Sequence, residues 1–92
     1  MSHIYLIGTN MNGPLKIGYS KNPEKRLKQL QTGHDEILYL FYKRPVDVLK
    51  PHILESHIHD ANRHHKIHGE WYNLSVEEAK KEIEYAIIYW EK

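Results

Sequence analysis

The sequence has no cysteine, so its 92 residues can form neither disulfides nor thiolate metal sites. Long apolar runs are missing as well. Nothing approaches the ~18–20 residues of a membrane-spanning helix, and the first residues lack the pattern of a secretory leader. Neither sign of charge dominates: 13 Lys and Arg stand against 12 Asp and Glu, for a formal charge of +1. Phenylalanine occurs once and tryptophan twice, so the aromatic share of 11% rests on seven tyrosines. Such rings usually sit half-buried with a wet hydroxyl. These shortages lead to the expectation of one soluble, cytoplasmic domain spanning 1–92, with no membrane partner and no separate recognition module. Its stability margin is thin, because a chain this short buries only about 60–65% of its unfolded surface.

The balanced charge is unevenly spread. Residues 1–50 carry eight Lys and Arg against four Asp and Glu, while residues 51–92 carry five against eight. The basic half suits a polyphosphate surface, and solvated faces explain the same distribution.

Local patterns divide the chain into short elements. Ile4-Tyr5-Leu6-Ile7 reads as a strand, the turn formers Thr9 to Pro14 follow, and Leu15 to Tyr19 reads as a second strand, giving an antiparallel hairpin. Asn22-Pro23 starts a helix carrying Arg26, Leu27 and Leu30 that Gly33 ends. The run Ile37 to Tyr42 is nearly all apolar and predicts a central strand covered on both faces. A helix is expected from Pro51 to roughly His65, with Leu54, Ile58 and Ala61 on one stripe. Trp71 to Leu74 is a short edge segment. Ser75 and Glu78 form a capping box for a last helix, whose apolar face is Val76, Ala79, Ile83, Ala86, Ile87 and Trp90. The order β-β-α-β-α, plus an edge segment and a C-terminal helix, predicts an α+β fold with a small three-stranded antiparallel sheet flanked by helices.

Several residues stand out within this frame, and each has a plain structural explanation. Tyr5 could be ordinary strand packing, Lys16 a solvated strand lysine, and Gly18 a bulge or close backbone approach. Arg26 lies among Lys21, Lys25 and Lys28, which all fit a solvated face, and Glu55 sits on a helix where glutamate is common. Their order and spacing argue for more. Lys16 of K-I-G lies eleven positions after Tyr5, and Arg26 in N-P-E-K-R-L lies ten positions after that. E-x-x-x-H from Glu55 to His59 and G-E-W-Y-N-L from Gly69 to Leu74 follow. Over about residues 3–75 this set resembles the GIY-YIG nuclease superfamily, in its short phage and bacterial branch, where K-I-G often replaces Y-I-G. Two departures stand: His3 replaces the glycine of the first motif, and Lys16 replaces a tyrosine of the second.

The resemblance implies a magnesium- or manganese-dependent DNA endonuclease acting on double-stranded or branched DNA. Phosphodiester hydrolysis needs an activated water, charge stabilisation on phosphorus and help for the leaving oxygen. In this reading Tyr5 orients or activates the water, and a nearby cation must lower its phenol pKa; Lys16 is one candidate. Arg26 grips the phosphate with its planar fork. Glu55 binds the metal, which stabilises the leaving oxygen. His59, four residues on along the same helical face, joins the site, while Lys21, Lys25, Lys28 and Arg63 contact DNA. Gly18, Asn73 and Trp71 support the site, Trp71 as a core anchor. Specificity is then low, resides in loops such as 9–14 and 43–50, or comes from a partner, and the domain nicks one strand as a monomer or cuts both as a homodimer.

Two other classes compete. Lys16 is also compatible with a catalytically impaired module that binds nucleic acid or regulates. The five histidines between His57 and His68 suggest zinc, but their helical spacing is poor, with His57 and His59 on different faces and His64 adjacent to His65.

Overall fold

The computed structural model describes residues 2–47 and 51–91, with side chains described through Tyr89. The elements run β1 (Ser2–Gly8), β2 (Leu15–Ser20), α1 (Pro23–Gln31), β3 (Tyr39–Val46) and α2 (Pro51–Ala61). A 3₁₀ turn at Arg63–His65, β4 (Lys66–His68), β5 (Trp71–Tyr72) and α3 (Val76–Glu91) complete them. The class is α+β, as the patterning implied. The sheet, however, has five antiparallel strands in the order β3-β1-β2-β5-β4, where three and an edge segment were expected.

The hairpin closes as the turn residues require. Gly13 adopts φ 90°, and a Cβ there would stand 2.3 Å from the Leu74 carbonyl oxygen, so only glycine fits between the turn and the β5–α3 connection. Asn22 caps α1 by accepting a hydrogen bond from the Lys25 amide at 3.1 Å, with Pro23 in the first turn. At α3, the Ser75 hydroxyl accepts from the Glu78 amide at 3.1 Å while the Glu78 carboxylate accepts from the Ser75 amide at 3.0 Å. The capping box is thus complete.

The two sheet faces pack differently. Ile4, Leu6, Leu15 and Ile17 meet Leu54 and Ile58 of α2 and Val76, Ala79, Ile83, Ala86 and Ile87 of α3 in the main core. Tyr5, Ile7 and Leu38 form a smaller cluster on the other face with Leu27, Leu30, Leu40 and Trp71. That division follows strand alternation, in which successive side chains point to opposite faces.

Three expectations need correction. The apolar run ending at Tyr42 is not a central strand: β3 starts at Tyr39, pairs only with β1 and lies at the sheet edge, leaving Tyr39 50% exposed and Ile37 67% exposed before it. Burial on one face plus an exposed rim gives the same apolar composition as burial on two. The second helix stops at Ala61 rather than near His65 because Asn62 turns inward, its amide donating to the Ile58 carbonyl at 2.9 Å. Ala61 is exposed and Asn62 is the buried residue at this end of the stripe. Residues 66–68, to which the sequence patterns assign no element, pair with β5. The part of loop 43–50 at 48–50, and the Trp90 side chain, lie outside the described residues.

Candidate active site

The site forms where the sheet runs out of strand. β5 pairs with β2 only at Leu15 and Lys16, opposite Tyr72 and Trp71. The Ile17 amide still reaches the Glu70 carbonyl at 3.1 Å, but the strand partner ends there. Unpaired backbone groups inside a protein must find other partners, and α2 supplies them. His59 Nε2 donates to the Ile17 carbonyl at 2.8 Å, and the Glu55 carboxylate accepts from the Tyr19 amide. Their i, i+4 spacing on α2 matches the spacing of successive outward-facing groups on β2 well enough for both to dock. Two helix side chains thus replace a missing stretch of strand.

Glu70, in the β4–β5 turn, reaches the same place. Its Oε1 accepts from the Lys16 ammonium at 2.7 Å, and Lys16 is 8% exposed. A lysine this buried needs such a partner, since an unpaired buried charge is costly. One ligand atom each from Glu55, His59 and Glu70 lies within 4.8 Å of the others, a spacing a metal ion could bridge. Burial pushes the Glu55 carboxyl above its ordinary range and the Glu70 charge adds to this, while His59, the Tyr19 amide and Lys16 pull it back.

Tyr5 lies across β2 from the neighbouring strand, opposite Gly18 in register. A Cβ on Gly18 would stand 2.5 Å from the Tyr5 hydroxyl, so glycine here makes room for the phenol. Tyr5 is 2% exposed. Burial raises its phenol pKa, against the lowering effect of a hydrogen bond to and the charge of Arg26. The cation acting on Tyr5 is therefore Arg26, from α1, and not Lys16, which is committed to Glu70. Arg26 also donates to Gln29 at 3.3 Å.

The remaining candidates divide. Trp71 pairs with Lys16 in register, packs on the smaller cluster and is only half-buried, tilted against the His34 ring at 6.1 Å. Asn73 is exposed, and its amide donates to the His65 carbonyl at 2.8 Å, tying the end of β5 to the 3₁₀ turn. Lys21, Lys25 and Lys28 are exposed before and along α1. Arg63 is exposed and pairs with Asp60 at 3.4 Å. The histidine cluster disperses: the His64 and His65 rings lie tilted at 4.1 Å in the 3₁₀ turn, His68 lies on β4, and only His59 faces other metal-ligating groups among the described residues. Glu70 had no role in the sequence reading. Its one local signal is the place it holds beside Trp71 and Tyr72, where a turn returns the chain to β2.

No described helix is long and apolar enough to cross a membrane. No curated protein and no solved structure matches the chain. The family model that matches is the T5orf172 domain, over residues 2–87. It corrects the GIY-YIG resemblance, for which no family match exists: the motifs that carried it are short and separated, and the match over nearly the whole chain outweighs them. With 2–87 of its 92 residues matched, this chain belongs to the T5orf172 domain family.

Proposed function

We propose that the domain is a divalent-metal-dependent endonuclease that hydrolyses phosphodiester bonds of DNA. The T5orf172 domain is associated with nuclease-like and DNA-binding functions, which agrees with DNA as the polymer. The observation that carries the reading is the meeting of a buried phenol, a guanidinium and a carboxylate from three different elements, with Tyr5 coupled electrostatically to Arg26, Glu70 and Glu55. Capping of the β2 edge accounts for Glu55 and charge pairing with Lys16 for Glu70, but neither brings the Arg26 guanidinium to the buried Tyr5 phenol.

Each group has a part in the hydrolysis. The water oxygen bonds to phosphorus, the bond to the 3′ oxygen breaks, and a water proton reaches the departing oxygen. Arg26 binds two phosphate oxygens with its fork and neutralises charge that grows in the transition state. Tyr5, held protonated by burial in the resting protein, orients the water through its hydroxyl. Lys21, Lys25 and Lys28 add attraction for the backbone that weakens with salt. The hard oxygens of Glu55 suit Mg²⁺ or Mn²⁺, which when bound stabilises negative charge on the phosphate and its leaving oxygen.

The test is nicking of supercoiled plasmid with Mg²⁺ or Mn²⁺ by wild type, Arg26→Ala and Glu55→Gln. If wild type and Glu55→Gln act alike with every divalent metal, the hydrolytic reading is wrong. A second reading, a DNA-binding module without cleavage, draws on the Lys16–Glu70 pair, which occupies a cation and a carboxylate in one contact. Salt-dependent DNA binding with no nicking under any metal condition supports it instead.

A further inference from the structure

We infer that Glu55, His59 and Glu70 form one three-ligand divalent metal centre, and that Glu70 divides its carboxylate between that metal and Lys16. The inference rests on the reading of Glu55 as a metal ligand and adds to it two ligands, a metal preference and a role for Lys16. One donor atom of each residue lies within 4.8 Å of the other two. Proximity of acids would not be enough. His59, however, is held from outside the cluster: a carbonyl can only accept, so the 2.8 Å contact between Nε2 and the Ile17 carbonyl puts the proton on Nε2. In the neutral ring Nδ1 keeps its lone pair, and the centre requires that nitrogen to be the one facing the carboxylates. Metal-binding imidazoles are oriented in this way, with the second ring nitrogen donating to a carbonyl or carboxylate.

Charge counting points the same way. Two carboxylates face a single ammonium, Lys16, which already contacts Glu70 Oε1 at 2.7 Å. Lys16 is 8% exposed but the Glu70 side chain is 39% exposed, so the pair is open to water, and to a cation, on the Glu70 side. Glu70 has a second oxygen, Glu55 has an oxygen beyond the one serving the Tyr19 amide, and both remain for a cation. Two carboxylate oxygens with one imidazole nitrogen suit Mn²⁺ better than Mg²⁺, which prefers oxygen and retained water. Lys16 then sits beside the metal, through the shared carboxylate, and opposes its binding as a like charge.

Mn²⁺ titration of the metal-free protein without DNA, followed by electron paramagnetic resonance, tests this. Wild type is expected to bind about one Mn²⁺ per chain, more tightly than Mg²⁺ competes for it, with nitrogen hyperfine coupling from a bound imidazole. Glu70→Gln and His59→Gln are each expected to weaken binding by at least roughly tenfold, the loss seen even when only a ligand's partner is removed. His59→Gln also loses the nitrogen coupling, and Lys16→Met tightens binding. Circular dichroism melts of the metal-free variants separate ligand loss from unfolding. Wild-type Mn²⁺ without nitrogen coupling overturns the centre whatever the variants do, and so does wild-type affinity in folded Glu70→Gln. Unchanged affinity in Lys16→Met overturns the sharing of Glu70. A centre with all these properties that nicks no plasmid leaves the inference standing and removes hydrolysis. Nicking that requires Glu55 but neither Glu70 nor His59 does the reverse.

Discussion

The two faces of the sheet use the same strands for opposite ends. On the face covered by α2 and α3, β1 and β2 contribute Ile4, Leu6, Leu15 and Ile17 to a wholly apolar contact. On the face covered by α1, the alternate residues of those strands are Tyr5, Ile7, Lys16 and Gly18, and three of the four have a polar or spatial task. A single-residue shift along either strand exchanges the two sets, so the apolar face fixes the register that delivers Tyr5 and Lys16 to the site. The main core thus positions the chemistry without touching it. Stability and activity are expected to separate when mutations are sorted by face.

The largest effects test that separation directly. Leu6→Ala is expected to cost about 2–5 kcal/mol of stability by leaving a cavity, read from urea unfolding, with nicking per folded molecule retained. Arg26→Ala is expected to do the opposite: nicking falls roughly 10²–10³-fold, as when one charge-stabilising donor is removed, while the urea midpoint barely moves. If Leu6→Ala lost nicking per folded molecule, or Arg26→Ala unfolded the protein, the division between faces would fail. Gly18→Ala lies between them. A Cβ there meets the Tyr5 ring and hydroxyl, so the variant is expected to lose about 1–3 kcal/mol and nicking together. Ser75→Ala removes a cap far from the site and is expected to cost about 1 kcal/mol with no change in nicking.

The smallest effect is a dependence on pH. Glu55 has its pKa raised on folding, by burial first and Glu70 second, so between the ordinary carboxylate value and the raised one the folded state holds more protons than the unfolded state. Stability of the metal-free protein therefore falls as pH rises through that window and is regained on acidification. Glu55→Gln is expected to flatten this part of a melting-temperature profile. A profile identical to wild type would show that Glu55 is not strained by its surroundings.

What could be read from the sequence was local. The Asn22 cap, the Ser75–Glu78 box and the apolar stripe of α3 depend on residues within a few positions of one another, and each appears where its spacing places it. The position of β3 did not, because an apolar run is the same string whether its strand ends at the centre or the rim. β4 was invisible for a different reason. Its three residues are all exposed, so burial leaves no period in them, and they pair only because the turn at Gly69 folds the chain back. The site divides along the same line. Tyr5, Lys16, Arg26, Glu55 and His59 were singled out as an ordered set; in the structure Tyr5 interacts with Arg26 and Glu55, and Glu55 with His59 and Lys16. Glu70 was missed, since its importance comes from a return of the chain to residue 17 that no local pattern encodes.

The shortness of β5 also bears on association. An open strand edge invites pairing with another chain, and proteins commonly cover such edges. Past Ile17 the cover on β2 is two side chains, Glu55 and His59, rather than a strand. Any peptide that adds to β2 must first evict both, so edge-to-edge association and the intact site exclude each other. A cation that ties Glu55 and His59 down also keeps the edge shut, and light scattering on heating is expected to begin later with Mn²⁺ than without it. The competent form of the domain is then also its least sticky one.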